Sequence, residues 1–591
     1  MAYRLAILTF TVIALSTTAE LYSQRRSETA RLEKLFADAW QFELDESPVF
    51  ATSLGDHRHD DRLSSERAQD YERRLAVRRG FLERAEMIRT SRLSDMHQVN
   101  LKIFIRLQRD EVSELEFKTY LIPITNRGGF HASFPQLPKR VPLNNELDYD
   151  NYVARLNDFR RHTKEQIELM REGIRQQIVL PAVVLEGYER TIVPHIVEDP
   201  TKSLLYAPAL TIPAAIGQPS QDRIVEEMSQ AIQTSVVPSY REFAAFMKAE
   251  YLPAARGSIA ASALPSGRAF YRYRVKHFTT LDVTPDEIHK LGLSEVIRIR
   301  AEMGLVIQES GFQGSFDAFL DFLRTDSQFY ATSGDQLQKE IAYVLKRMDG
   351  ELPRLFKTLP RMPYGIRLVP EYIAPRTTAA YYSRPAGDGT RAGFYYINIF
   401  NLKGRPLYQI EALSLHEAVP GHHLQLAIQQ ELTGLPKFRQ YAGFTAFVEG
   451  WALYAERLGL EVGFYENPYS NFGRLSYEMW RACRLVVDTG MHYLGWTRQQ
   501  AIEFMRSNTA LSLHNITAEV DRYISWPGQA LAYKMGELKI RELRQRAETT
   551  LGDRFDVRDF HQVVLEAGSV PLDILDRNVQ RYIDNTMGTN E

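Results

Sequence analysis

Apolar residues recur every third or fourth position along extended stretches of this chain, the spacing that gives a helix one buried face. Ser27 to about Trp40, Ser64 to Met87 and Tyr149 to Ile178 carry that period and are expected to be helices. Between them, Leu121 to Leu143 is rich in Pro, Gly and Asn and reads as an ordered loop. Thr284-Pro285-Asp286-Glu287 predicts a helix start. It has a threonine cap, proline at the first helical position and glutamate three residues after the cap. Phe444–Glu461 is again helical in pattern, with Phe447, Trp451, Leu453, Tyr454 and Leu458 on a broad apolar stripe. One stretch departs from this period. Gly393–Phe400, GFYYINIF, is dense in aromatics and isoleucines after the loop Pro385–Thr390, and predicts a strand. The expected fold is mainly α, with a small β-sheet beside the helix described next. No repeat is evident. A soft boundary near residue 280 separates a helical N-terminal half (20–280) from a half carrying the chemistry (281–591), unless 20–591 forms one continuous domain.

That chemistry is concentrated in Leu413–Leu424, LSLHEAVPGHHL, where three histidines and a glutamate fall within eight positions, His416 to His423. The pattern approaches the H-E-x-x-H zinc helix, in which two histidines bind the metal and the glutamate is general base. Here Pro420 holds the fifth position and histidine returns only at His422 and His423. On an unbroken helix His416 and His423 share a face but lie roughly 10 Å apart, at about 1.5 Å per residue. That separation is too great for one ion, whose bonds to nitrogen are about 2 Å. A mid-helix proline opposes an unbroken helix through its clash with the carbonyl four residues back, here that of His416, and Gly421 has the freedom to loop residues out. Removing Pro-Gly leaves H-E-A-V-H-H. His416 and His422 are therefore the favoured ligands, with His423 flanking them or supporting one from behind, and His423 as the alternative second ligand. Glu449, among apolar and aromatic neighbours, is the expected third ligand, because a buried carboxylate without a partner is costly. Glu456, two helical turns on, is placed to orient a ligand histidine or to form a surface ion pair.

Length and composition fit a large globular enzyme. The chain has 591 residues, 44% of them hydrophobic and 25% charged, with 72 Lys and Arg against 74 Asp and Glu. Near-neutrality gives no reason to expect nucleic acid or an anionic membrane as partner. The N-terminus has one arginine, an apolar run from Leu5 to Leu15 and small residues to Ala19, which predicts a signal peptide over 1–19 and a periplasmic or extracellular location. The run is short for a membrane span, so no stable membrane insertion is expected after cleavage, with an uncleaved anchor as the alternative. No cysteine lies near the N-terminus, so lipid attachment there is not expected. The single cysteine, Cys483, excludes an internal disulfide and a cysteine-rich zinc site, and reads as core.

His416-Glu417 with Pro420-Gly421-His422-His423, followed by Glu449-Gly450-Trp451-Ala452-Leu453-Tyr454-Ala455-Glu456, resembles the bacterial DUF885 family, whose pattern is similar to the gluzincin zinc peptidases. Further segments extend the likeness over nearly the whole mature chain: Glu46-Ser47-Pro48, Ala51-Thr52 and Gly55-Asp56; Leu264-Pro265-Ser266-Gly267; Thr284 to His289; Arg481 to Gly490; and Trp526-Pro527-Gly528-Gln529-Ala530 with Tyr533-Lys534-Met535-Gly536. The resemblance implies a large helical, zincin-like metallopeptidase architecture and one zinc per chain, with manganese or cobalt as alternatives. It implies Glu417 as general base for a metal-activated water. It also implies a tyrosine or histidine that stabilises the oxyanion, for which Tyr523 and Tyr533 come first and His492 next. Arg522, Gln529 and Lys534 are candidate substrate contacts. In gluzincins an edge strand before the metal helix pairs with an extended peptide, a role open to Gly393–Phe400 unless that strand is simply buried.

Three functions fit these residues. The first is an exported zinc metallopeptidase of oligopeptides. The second is a zinc hydrolase of another amide or ester, differing only in its pocket. The third is a catalytically silent exported helical binding protein, against which an intact Glu417 argues.

Overall fold

A computed structural model describes residues 26–588 except 127, 372–373, 375–377, 386–388 and 390. The leader 1–19 and most of Pro385–Thr390 lie outside the described residues. The chain is mainly helical and divides into two compact units.

The first unit comprises 26–179, Gly187–Ala255 and Pro436–Phe438. Helix α1 (26–46) packs on α2 (Ala68–Glu86) and α3 (Asp95–Glu116) through Leu32, Leu35, Phe36, Phe81, Leu101 and Phe104. Helix α2 starts four residues later than its periodicity predicts, because Ser64, Ser65 and Glu66 spend their polar groups on turn contacts with Glu66, Asp70 and Glu165. Helix α4 (Glu146–Arg175) begins where the Asn145 side chain accepts the Asp148 N–H, a local cap that the hydrophobic period does not register. The expected loop Leu121–Leu143 folds partly into short helical turns, Phe130–Ser133 and Phe134–Lys139. They are anchored by Phe134, stacked on Phe159 with ring centroids 3.8 Å apart.

The second unit comprises Leu180–Glu186, 256–435 and 439–588. After α5 (Gly267–Thr279), helix α6 (Pro285–Glu309) opens with the full capping box read from sequence, Thr284 and Glu287 each satisfying the other's backbone N–H. Next come α7 (Gly334–Leu355) and three strands, β1 (Tyr364–Leu368), β2 (Ala380–Ser383) and β3 (Gly393–Ile397). The sheet order is β1-β3-β2, with β1 parallel and β2 antiparallel to β3. The predicted strand is therefore the central one. Both its backbone edges are paired within the sheet, so the edge role open to it from resemblance is corrected: β1 and β2 are the outer strands. The chain then runs through α8 (Ile410–Glu417), α9 (His422–Glu431), α10 (Thr445–Leu458), α11 (Pro468–His492), α12 (Leu513–Ser525) and α13 (Ala532–Leu551). Helix α6 lies along α11, and α10 lies along α13. Among the described residues, no helix is long and apolar enough to cross a membrane.

Candidate metal centre

The helix carrying the histidine cluster is interrupted. Helix α8 ends at Glu417 and α9 begins at His422, joined by Ala418–Gly421 with a cis Val419–Pro420 bond. The break spans four residues, two more than a Pro-Gly excursion requires. Its cause is backbone chemistry: Pro420 has no N–H to give the His416 carbonyl, and the ladder resumes only when the His423 N–H reaches the Ala418 carbonyl at 2.9 Å. Gly421 passes so close to the preceding turn that a Cβ there would lie 1.9 Å from the His416 oxygen and 2.4 Å from that of Leu415. No other residue fits.

This break brings His422 round to His416. Their rings stand perpendicular with centroids 4.8 Å apart. Opposite them, Glu449 on α10 presents Oε2 at 3.7 Å from His416 Nε2 and 3.5 Å from His422 Nε2. One ligand atom from each of the three residues lies within 4.8 Å of the others, and the group could hold a metal ion. The separations are long for hydrogen bonds. They suit atoms sharing a centre, because donors about 2.1 Å from a tetrahedral ion stand roughly 3.4 Å apart. The second nitrogen of His422, Nδ1, is buried without a hydrogen-bond partner among the described residues.

Electrostatics in the group are strong. Burial alone would lower the His416 pKa, but the facing carboxylates of Glu449 and Glu456 outweigh it and hold it at about 9. Burial pushes the Glu449 carboxyl up, and the two histidines more than reverse this, holding it far below the usual range. A carboxylate and two imidazoles that compete for protons when packed together are a donor set suited to a divalent cation.

One helix supplies most of the support. Glu456 Oε1 pairs with His416 Nδ1 at 2.8 Å, leaving Nε2 to face Glu449. Arg481 Nη2 on α11 lies 3.4 Å from the same Glu456 oxygen. Trp451, completely buried, donates its indole N–H to the Pro420 carbonyl at 2.9 Å and so pins the connection between the histidines. Between Glu449 and Trp451, Gly450 meets Gly536 of α13 backbone to backbone: a Cβ on Gly450 would be 2.5 Å from Gly536 Cα, and one on Gly536 would be 1.8 Å from the Ala446 oxygen.

The remaining sequence candidates are distributed as follows. Glu417 is half-buried beside His416, and its carboxylate makes no hydrogen bond among the described residues. His423 turns to the sheet, where its Nδ1 pairs with the Tyr382 hydroxyl at 2.8 Å; burial lowers its pKa to about 4. The Tyr523 hydroxyl is fully engaged, accepting from Trp480 Nε1 and Arg484 Nε and donating to Glu519. His492 has one nitrogen accepting the Ala261 N–H and the other paired with the Tyr523 carbonyl. Arg522 binds Glu519 and Gln529. Lys534 is completely buried against Glu295, Glu478 and Glu537, at 2.8–3.0 Å. Tyr533 differs from these. It is half-buried, its ring lies under the Arg484 guanidinium at 4.2 Å, and its hydroxyl has no hydrogen bond among the described residues. Cys483 is buried.

Trp451 and Arg481 were not legible as supports. Trp451 reads as one more apolar residue of a stripe. For Arg481 the available signal was a charge inside a helix that is otherwise buried.

The fold and the site thus define a mainly helical protein with a His-His-Glu group able to hold a metal. The chain belongs to DUF885, described as bacterial proteins of unknown function, whose family model matches residues 48–579. It is similar to a crystal structure of a "putative lipoprotein" from Colwellia psychrerythraea, at 28% identity and TM-score 0.89 over 94% of this chain and 99% of that one. It shares its fold with a "putative lipoprotein of unknown function" from Shewanella oneidensis, at 18% identity and TM-score 0.69 over 93% and 98% of the two chains. No curated protein matches the chain.

Proposed function

We propose that this protein is an exported zinc-dependent hydrolase, specifically a metallopeptidase acting on oligopeptides. The observation that carries this reading is the convergence of His416, His422 and Glu449 within 4.8 Å, with the uncommitted carboxylate of Glu417 next in sequence to the first of them. Two histidines and a glutamate are a donor set of catalytic zinc, three protein ligands that leave a position open. Manganese or cobalt accepts the same donors. A divalent ion held there supplies Lewis acidity toward a carbonyl oxygen and acidifies water toward neutral pH.

The chain's own residues do the rest. Glu417 takes the proton of the attacking water and returns it to the leaving amine. Glu456 keeps His416 Nδ1 occupied and aims Nε2 at the ligand group. The negative charge that develops on the carbonyl oxygen needs a further donor, and Tyr533 is the best supported. Its hydroxyl is uncommitted, whereas those polar atoms of Tyr523 and His492 that could serve are taken. It also precedes by one helical turn Gly536, which touches Gly450, the neighbour of Glu449. Export is supported by the leader pattern and by the lipoprotein descriptions of two relatives. The substrate is taken to be a peptide or a comparable small amide, with no nucleic acid partner.

The test is metal content per chain in mature protein purified without added metal. About one zinc per chain, lost in His422→Ala and kept in His423→Ala, is expected. Loss with His423→Ala alone would overturn the ligand set. No uptake by any form, even after zinc is offered, would remove the hydrolase reading.

A further inference from the structure

The first unit contains a cavity of about 420 Å³, within the range of small-ligand sites. It is built from Glu46-Ser47-Pro48 and the partners of that segment, the motif for which the metal chemistry has no use. Its aromatic and apolar wall includes Phe50, Phe130, Phe134 and Leu137.

The polar lining is unevenly satisfied. Glu46 is neutralised twice, by Arg73 at 2.8 Å and Arg74 at 2.7 Å. Glu66 accepts from the hydroxyls of Ser64 and Tyr71. The arginines are less fully used. Arg78 is 9% exposed and lies over the Phe42 ring, with Nη2 facing Glu43 at 2.5 Å and Glu111 at 3.9 Å, yet among the described residues its five N–H groups make one hydrogen bond, that to Glu43. Arg140 lines the cavity and its guanidinium has no hydrogen bond or ion pair among the described residues. A guanidinium with spare N–H groups, whether buried as in Arg78 or at the exposed mouth as in Arg140, is a ready partner for a carboxylate, which it can grip through two parallel bonds.

His162 adds the opposite polarity. Its Nδ1 lies 3.2 Å from the Ser64 carbonyl and so carries the proton, and burial pushes the imidazole toward its neutral form. Nε2 is then left as an acceptor on the cavity wall. The lining therefore offers spare donors for an anion, one acceptor for an N–H, and an aromatic wall for an apolar side chain.

We propose that this cavity is a second ligand site, separate from the metal centre, that takes an N-acylated amino acid with an apolar side chain, free or as the C-terminal residue of a peptide. The carboxylate pairs with Arg78 and Arg140, the amide N–H donates to His162 Nε2, and the side chain packs on the phenylalanines.

Calorimetric titration of the mature chain with N-acetyl-L-phenylalanine tests this. The acid is expected to bind, and its carboxamide to bind at least about tenfold more weakly, since a charge-assisted pair is lost. Arg140→Gln, an exposed position whose replacement leaves the fold intact, is expected to weaken the acid by a similar factor. Binding should survive removal of metal by chelation. A tripeptide ending in phenylalanine that binds as well assigns the peptide terminus as the natural source; one that is excluded assigns the free acylated amino acid. No binding of the acid up to about 10 mM, equal binding of acid and carboxamide, an unaffected Arg140→Gln, or loss of binding with the metal would each overturn the proposal.

Discussion

Glu417 and Glu456 are both carboxylates beside His416, yet their surroundings give them different work. Glu456 is buried and bound to the ring, so it can only hold the imidazole. Glu417 is half-buried, and its carboxylate makes no hydrogen bond among the described residues. Glu417→Gln is expected to keep its metal and lose hydrolysis by about 10²–10⁴-fold, the usual contribution of a general base. Glu456→Gln is expected to weaken metal affinity by about 10–100-fold. Parallel metal titrations and rate measurements check the pair, and a Glu417→Gln variant with full activity would remove the mechanism. A third carboxyl governs stability. Asp488 is completely buried, and burial raises its pKa to about 7 despite hydrogen bonds from Tyr271 and Gly528. The unfolded chain gives up this proton near pH 3.8, so between those values the folded state holds one proton more. The Asp488 contribution is therefore intact below about pH 4 and lost as the pH rises to about 7. Denaturation of Asp488→Asn beside the wild type should show the variant gaining relative stability across that interval; a constant difference would contradict the assignment.

At the scale of elements, two close approaches build the site. The first is the break between α8 and α9, where Gly421 runs against the carbonyls of Leu415 and His416. Gly421→Ala must push that turn apart. Unfolding in urea should show a loss of about 1–3 kcal/mol or more, accompanied by loss of metal, and an alanine variant with normal metal content would show that the break is not rigid. The second is the contact of α10 with α13 at Gly450 and Gly536, which sets the depth of Glu449 and Tyr533 on neighbouring helices. The two approaches differed in how far they could be read from sequence. Proline four residues after a candidate ligand announces a break through its missing N–H and its clash with the preceding turn. Nothing local announces that the break spans four residues, because its length depends on where the next free N–H finds a carbonyl. The glycine pair was equally silent, since either glycine alone reads as a weak point in a helix.

For the molecule as a whole, a metal bound by residues of three helices, α8, α9 and α10, should tie folding to metal. Added zinc at a hundredfold excess over its dissociation constant stabilises the native state by about 2.7 kcal/mol. Thermal unfolding should therefore shift downward on chelation and return on zinc addition, and His416→Ala should show neither change. An unchanged transition in the wild type would mean that the group does not hold the ion.

The sequence alone determined the helical class, the capping box at Thr284, a strand within Gly393–Phe400, and His416, His422 and Glu449 as the favoured ligand group with Glu456 able to orient one of its histidines, because periodicity, caps and donor chemistry are written locally. It did not determine which residues stand over one another. That β3 is central, that Trp451 clamps Pro420, that Lys534 is enclosed by three carboxylates while the Tyr533 hydroxyl is left unpaired, and that Arg78 and Arg140 share a cavity were decided only by tertiary packing. Each of these depends on atoms brought together from distant parts of the chain, and a side chain's chemical availability is set by its neighbours in space.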